Sequence, residues 1–187
     1  MRRPTKPPKR ITADRLARIS THYLDRFTTS SSNLRRLLAR RADLAAAHHG
    51  EDPADGRALV DAEITRLEGL GWLDDAAYAR GKARALVRRG NGARSVIAKL
   101  RSKGISPDAT EAALLEVREE LGVDPQLVAV VKAAKRRRFG PWAREPVDAA
   151  GRWKAIQALG RAGFSYELAA RVVDAKTPEE LEEEAEP

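Results

Sequence analysis

Between Arg80 and Lys103 the sequence places nine basic residues and no carboxylate: Arg80, Lys82, Arg84, Arg88, Arg89, Arg94, Lys99, Arg101 and Lys103. Arg80, Arg84 and Arg88 recur every four residues, the spacing that lines one face of a helix away from Ala79, Ala83 and Leu86, while Arg94 and Arg101 share a face of the helix that follows. Like charges so placed destabilise a helix by roughly 0.2–0.5 kcal/mol per pair. A partner of negative charge therefore explains the stretch better than stability does, the plain alternative being a solvated face. Guanidinium groups pair bidentately with phosphate and carboxylate alike, so a DNA backbone and an acidic protein surface both remain open. A second cluster, Lys132, Lys135, Arg136, Arg137 and Arg138, closes a predicted helix, where cations also interact favourably with the helix dipole; structural and binding roles both fit it.

Chemistry of the catalytic kind finds no constellation. His48-His49 has only His22 to complete a metal-ligand set, and cysteine is absent. Asp74-Asp75 precedes an apolar-periodic helix and reads as a cap rather than a carboxylate pair. Gly90-Asn91-Gly92 follows a predicted helix, not a strand, and lacks the lysine of a phosphate loop. The expectation is a protein that is not an enzyme and needs no metal or cofactor. Trp72, Trp142 and Trp153, Tyr23, Tyr78 and Tyr166, and Phe27, Phe139 and Phe164 fall mostly at helix ends or on apolar faces and read as core; only Trp142, beside the arginines, is kept as a contact candidate. Without aromatics interleaved among the cations, any DNA affinity is expected to be weak and independent of base sequence.

The elements that carry these groups are helical throughout. From Thr12, a fitting N-cap, Leu16, Ile19, Tyr23 and Phe27 step by three and four. Leu34, Leu37 and Leu38 with Ala45 to Ala47 make a second helix that is expected to give way to a polar His48 to Gly56 loop, and Leu59, Val60, Ile64, Leu67 and Leu70 make a third that stops at Gly71. The fourth ends at Gly90-Asn91-Gly92; the fifth places Ala93, Val96, Ile97 and Leu100 inward and stops at Gly104. Ser106-Pro107-Asp108 and Asp124-Pro125 each open another helix. Two more follow, around Ala149 to Arg161 and Ser165 to Asp174. No segment alternates with period two long enough for a strand.

The chain has 187 residues, 33% charged and 42% apolar, with a formal charge of +8. This balance fits a soluble, basic protein with enough chain to bury a core unaided. The lack of cysteine suits a reducing cytosol, and neither a run of about 20 apolar residues nor an apolar stretch behind the basic start is present, so the expectation is a cytoplasmic protein with no membrane association, acting as a monomer. Met1 to Arg10 is basic and Thr177 to Pro187 acidic; both are polar and broken by proline, and both are read as disordered.

Ile97-x-x-Leu100-x-x-x-Gly104-Ile105-Ser106 aligns with Ile156-x-x-Leu159-x-x-x-Gly163-Phe164-Ser165 at an offset of 59 residues. A frame offset by 62 sets Leu34, Leu38 and Ala42 opposite Val96, Leu100 and Gly104. The chain is thus read as an all-α tandem array of three three-helix repeats, elongated and curved, over residues 11–73, 74–123 and 124–176. A nine-helix globule with chance echoes is the alternative.

Leu70-Gly71-Trp72-Leu73-Asp74-Asp75-x-x-Tyr78-Ala79, then Gly90 and Gly92, then Leu100-x-x-Lys103-Gly104-Ile105, resemble the central signature of the RecX regulatory family, and Gly160 to Tyr166 resembles that family's closing repeat. The likeness runs over about Ile11 to Asp174. It departs from the family pattern at Ala42, where a glycine is usual, in the His48 to Gly56 extension, and in the lengthened connection through Arg136 to Trp142. The resemblance implies a tandem three-helix fold and a protein that binds the filament of the RecA recombinase on DNA and modulates it, mostly by inhibition. The competing reading is a stand-alone, sequence-independent DNA-binding helical module, with Arg94, Ser95 and Lys99 on its short helix.

Overall fold

The computed structural model describes residues 7–186, which form an all-helical chain of ten α-helices with no strand among them. Two compact units divide at Tyr78 and Ala79.

The first unit holds α1 (Ala13–Leu24), α2 (Ser31–His49) and α3 (Pro53–Gly69). Each start is chemically marked. The Thr12 hydroxyl accepts from Arg15 N at 3.3 Å, Ser30 from Asn33 N at 3.3 Å, and the Asp52 carboxylate from Ala54 N at 2.8 Å. Such caps contribute about 1 kcal/mol each by satisfying N–H groups the helix leaves unpaired. Leu16, Leu34, Leu38, Val60, Ile64 and Leu67 interlock in a core from which solvent is shut out. Ala42 sits in that core, and Gly56 of α3 comes so near that a Cβ there would lie 3.1 Å from the Ala42 Cβ. This accounts for Ala42 in place of glycine: nothing stops the helix at that position, and α2 runs on to His49, where Gly50 takes φ 68°. The long loop expected over His48 to Gly56 is therefore replaced by three linking residues, because Asp52-Pro53 is a helix start of the same kind as Asp124-Pro125.

The second unit begins within α4 (Asp75–Arg88) and continues through α5 (Ala93–Arg101), α6 (Pro107–Leu121), α7 (Pro125–Arg137), a 3-10 turn at Gly140–Trp142, α8 (Ala149–Arg161), α9 (Tyr166–Val173) and α10 (Pro178–Glu184). Its centre is α7, whose Leu127, Ala129, Val130, Ala133 and Ala134 are buried. The internal repeat is visible atom by atom. Leu100 and Leu159 are fully buried, Gly104 and Gly163 both take positive φ, and the N–H of Ile105 and of Phe164 reaches back to the carbonyls of Leu100 and Leu159 at 3.2 and 3.3 Å. Ser106 and Ser165 then cap the next helices by accepting from Ala109 N and Leu168 N, each at 3.2 Å. The left-handed glycine followed by that back-bond is the usual way for one helix to end and another to leave at an angle.

Two expectations are corrected here. The acidic end is not irregular: Pro178–Glu184 is α10, with Leu181 and Ala185 buried one turn apart and Glu184 paired with Arg171. Two apolar side chains at helical spacing suffice once a neighbour lends them a surface, which composition does not reveal. Ile97 is 43% exposed, whereas its repeat counterpart Ile156 is buried. The basic start lies largely outside the described residues; Pro7 to Arg10 is irregular, with Arg10 paired to Glu51 at 2.9 Å. Among the described residues no helix is long and apolar enough to cross a membrane.

Candidate functional site

The α4–α5 junction is held by α7 and by the turn between α8 and α9. Gly90 is buried at φ 75°, where a Cβ would meet Ala129 O at 3.0 Å and the Ala133 backbone at 3.1 Å, so α7 lies directly against it. Gly92 faces Gly163: a Cβ on Gly92 would lie 2.4 Å from the Gly163 carbonyl, and one on Gly163 would lie 2.5 Å from Ser95 N. Gly92 N donates to Ala162 O at 3.0 Å, and Ala93 N to Gln126 Oε1 at 2.7 Å. Glycine stands at positions 92 and 163 because two backbones touch there. Asn91, read from the sequence only as part of a helix stop, organises the turn: its amide donates to Leu86 O at 2.9 Å, and its Oδ1 accepts from Ser95 Oγ and Lys99 Nζ.

The sequence-predicted cations divide on this frame. Arg80 and Arg84 do share an exposed face of α4, but α6 answers them with carboxylates at the same four-residue spacing: Arg80 pairs with Glu116 at 3.1 Å and Arg84 with Glu120. The acids are one turn apart on a helix 36 residues on, a pairing that inspection of 80–103 alone misses. Arg94 stands near Glu167, whose carboxyl is held below its usual range by its own backbone N–H, then by the Ser165 hydroxyl, then by Arg94. Lys82 and Lys103 are half-buried. Arg88, Arg89 and Arg101 are exposed and carry no carboxylate partner among the described residues.

The second cluster is anchored to the protein's own groups. Lys135 pairs with Glu182 at 2.9 Å; Arg137 donates to Ala158 O at 3.0 Å; Arg138 ends α7 in the left-handed region at φ 57°. Arg136 reaches across 47 residues to donate to the Arg89 carbonyl at 2.7 Å. That bond brings Arg136, near the end of α7, to the backbone of Arg89 at the end of α4. A carbonyl does not neutralise a guanidinium, so the positive charge at this meeting point persists. Arg138 instead opens, with Arg144, Lys154 and Arg161, onto a groove of about 980 Å³.

The aromatic expectations need revision. Trp142 is half-buried, and its indole N–H donates to Glu182 Oε1 at 2.9 Å, so it is tied to α10 rather than offered to a partner. Phe27, Trp72, Trp153 and Tyr166 are about half exposed and are not core. Asp74 caps its own helix through Ala77 N at 2.9 Å, while Asp75 reaches the α2 start to accept from Ser31 N at 2.8 Å. Among the described residues no three His, Asp or Glu converge at a spacing that would hold a metal ion.

Residues 74–114 match the family model described as RecX, second three-helix domain. The regulatory protein RecX of Myxococcus xanthus is 32% identical over 170 residues, covering 90% of this chain and 89% of that protein. The regulatory protein RecX of Agrobacterium fabrum is 37% identical over 131 residues, or 70% and 67% of the two chains. Among solved structures, the crystal structure of RecX from Lactobacillus salivarius superimposes with a TM-score of 0.60 at 18% identity, over 91% of this chain and 96% of that one. A crystal structure of regulatory protein RecX gives 0.63 at 20% identity, over 87% and 72%. At such identities the structural likeness shows the helical-array fold.

Proposed function

The chain belongs to the RecX family of regulatory proteins, and on that premise we propose that it binds the filament of the RecA recombinase on DNA and modulates it, mostly by inhibiting ATP hydrolysis and strand exchange during DNA repair. It acts in the cytoplasm, without a cofactor and without catalysis of its own. Residues 11–73, 74–123 and 124–176 serve as three successive repeats, and the second supplies the principal contact. The observation that carries this reading is the bond from Arg136 to the Arg89 carbonyl at the α4–α5 junction, where Arg88 and Arg89 are exposed and lack carboxylate partners among the described residues. The backbone beneath it is fixed by contact at Gly90 and Gly92, so binding a negative surface has only the side chains left to order. Arg80 and Arg84, already paired on α6, contribute less than their spacing suggests.

The test measures RecA-driven ATP hydrolysis and strand exchange on single-stranded DNA with this protein at substoichiometric amounts, beside its binding to naked DNA across a range of salt. Inhibition well below DNA saturation supports the proposal. Tight naked-DNA binding with a steep salt slope and an unaffected recombinase would point instead to the stand-alone DNA-binding module.

A further inference from the structure

The first unit contains a groove that the junction reading does not use. It encloses about 620 Å³ and is lined by Arg15, Arg18 and Arg26 of α1 and its exit, Arg41 of α2, and the rings of Tyr23 and Phe27. The volume lies within the ~300–1,000 Å³ typical of ligand sites. No lining residue is acidic, and none of the four guanidiniums pairs with a carboxylate among the described residues. Arg15 Nε is shut off from solvent yet has no hydrogen-bond acceptor among the described residues. Ile19 and Leu37 supply an apolar wall. The Tyr23 and Phe27 centroids are 5.1 Å apart with a 40° tilt, and Phe27 is 55% exposed, so its ring offers surface to the groove rather than to the core.

Along α1 and the turn that leaves it, cations at 15, 18 and 26 accompany apolar or aromatic residues at 19, 23 and 27. Guanidiniums gathered without a counter-charge repel one another, and an exposed phenylalanine among them gains nothing from water. A ligand with regularly spaced anions and flat π-faces satisfies both. A DNA duplex conceals its base faces; an acidic peptide brings anions without the faces. We infer that this groove binds single-stranded nucleic acid, with phosphates on Arg15, Arg18, Arg26 and Arg41 and a base stacked on Phe27. This contact is independent of the recombinase and of the α4–α5 junction.

The test is fluorescence anisotropy of a fluorescein-labelled oligo(dT) with the full chain, beside an abasic deoxyribose-phosphate oligomer of equal length. Phe27→Ala, at an exposed position and with its fold checked by circular dichroism, is expected to weaken oligo(dT) binding roughly 5- to 150-fold, the range measured for loss of one stacked base. It should leave the abasic oligomer unchanged, and Phe27→Tyr should restore oligo(dT) binding. Arg18→Glu with Arg26→Glu should weaken both oligomers. Unchanged oligo(dT) binding by Phe27→Ala, or equal loss on both oligomers, would overturn the inference. Polyglutamate competing as well as oligo(dT) would give the groove to an acidic protein segment, and thymidine monophosphate competing as well would give it to a free nucleotide. Because the assay contains no RecA, its failure leaves the filament proposal standing.

Discussion

Replacing Gly92 with alanine is the sharpest perturbation of the frame beneath the junction. Gly92 has φ −71°, which alanine adopts freely, so any cost comes from contact and not from backbone strain. The added methyl would lie 2.4 Å from the Gly163 carbonyl carbon and oxygen, and both are backbone atoms that cannot rotate away. Reaching ordinary van der Waals separation requires the α4–α5 and α8–α9 turns to part by on the order of 1 Å. That movement breaks the 3.0 Å bond from Gly92 N to Ala162 O. Overpacking costs ~1–3 kcal/mol and a lost hydrogen bond ~0.5–1.5 kcal/mol. The stiffer unfolded chain returns ~0.4–1 kcal/mol. The expected net loss is about 2–3 kcal/mol, or roughly 4–12 °C in Tm for a chain of this length. Urea and thermal unfolding followed by circular dichroism measure it. Gly160→Ala is the control: it lies within α8 with nothing near its Cβ position and should stabilise by ~0.5–1 kcal/mol. Equal stability of the two variants would refute the backbone contact.

The other predictions concern the remaining contacts. Leu181→Ala, in a buried position on α10, should cost ~2–4 kcal/mol and expose the chain after Lys176 to limited proteolysis; an unchanged stability would mean that α10 is not docked. Glu182 is held below its usual range by Lys135 and then by the Trp142 N–H, and Glu184 by Arg171. Depressed carboxyl groups stabilise the fold above their unfolded pKa and lose that contribution as pH falls through the folded value. Trp142 fluorescence should therefore change as α10 loosens below about pH 4.5, and should be flat from pH 6 to 8. A double-mutant cycle between Arg80→Ala and Glu116→Ala should give a coupling below about 1 kcal/mol, since both side chains are 45% exposed; a larger value would mean the pair is part of the frame.

The local grammar of this chain was open to reading, because caps and stops act over three to five residues. Thr12, Ser106 and Asp124 cap where their spacing implies, and Gly104 and Gly163 end helices in the same way at an offset of 59. What could not be read depends on which surfaces meet. Arg80 and Arg84 form a regular stripe in sequence, yet their partners lie on α6 and are recognisable only once Glu116 and Glu120 are seen to repeat the same step. Arg136 reads as a cation at a helix end; that it grips the Arg89 carbonyl follows from α7 resting on Gly90. The acidic end looked incapable of burying enough apolar area alone, and Leu181 folds it only because α7 and the Trp142 turn are there to receive it. In the same way Phe27 fits an apolar stripe by spacing, but α1 ends at Leu24 and leaves the ring exposed beyond it.

Arg88 and Arg89, exposed at the α4–α5 junction and without carboxylate partners among the described residues, are proposed to meet the recombinase filament. Arg88→Glu with Arg89→Glu tests this contact directly, because both side chains are exposed and the Arg89 carbonyl that holds Arg136 is untouched. The measurement is the concentration of protein that halves RecA-driven ATP hydrolysis on single-stranded DNA, with Tm recorded alongside. The account predicts that the double variant keeps its Tm and needs at least about tenfold more protein, equivalent to ~1.4 kcal/mol or more of lost binding. Half-inhibition at the unaltered concentration, with the fold intact, would contradict it.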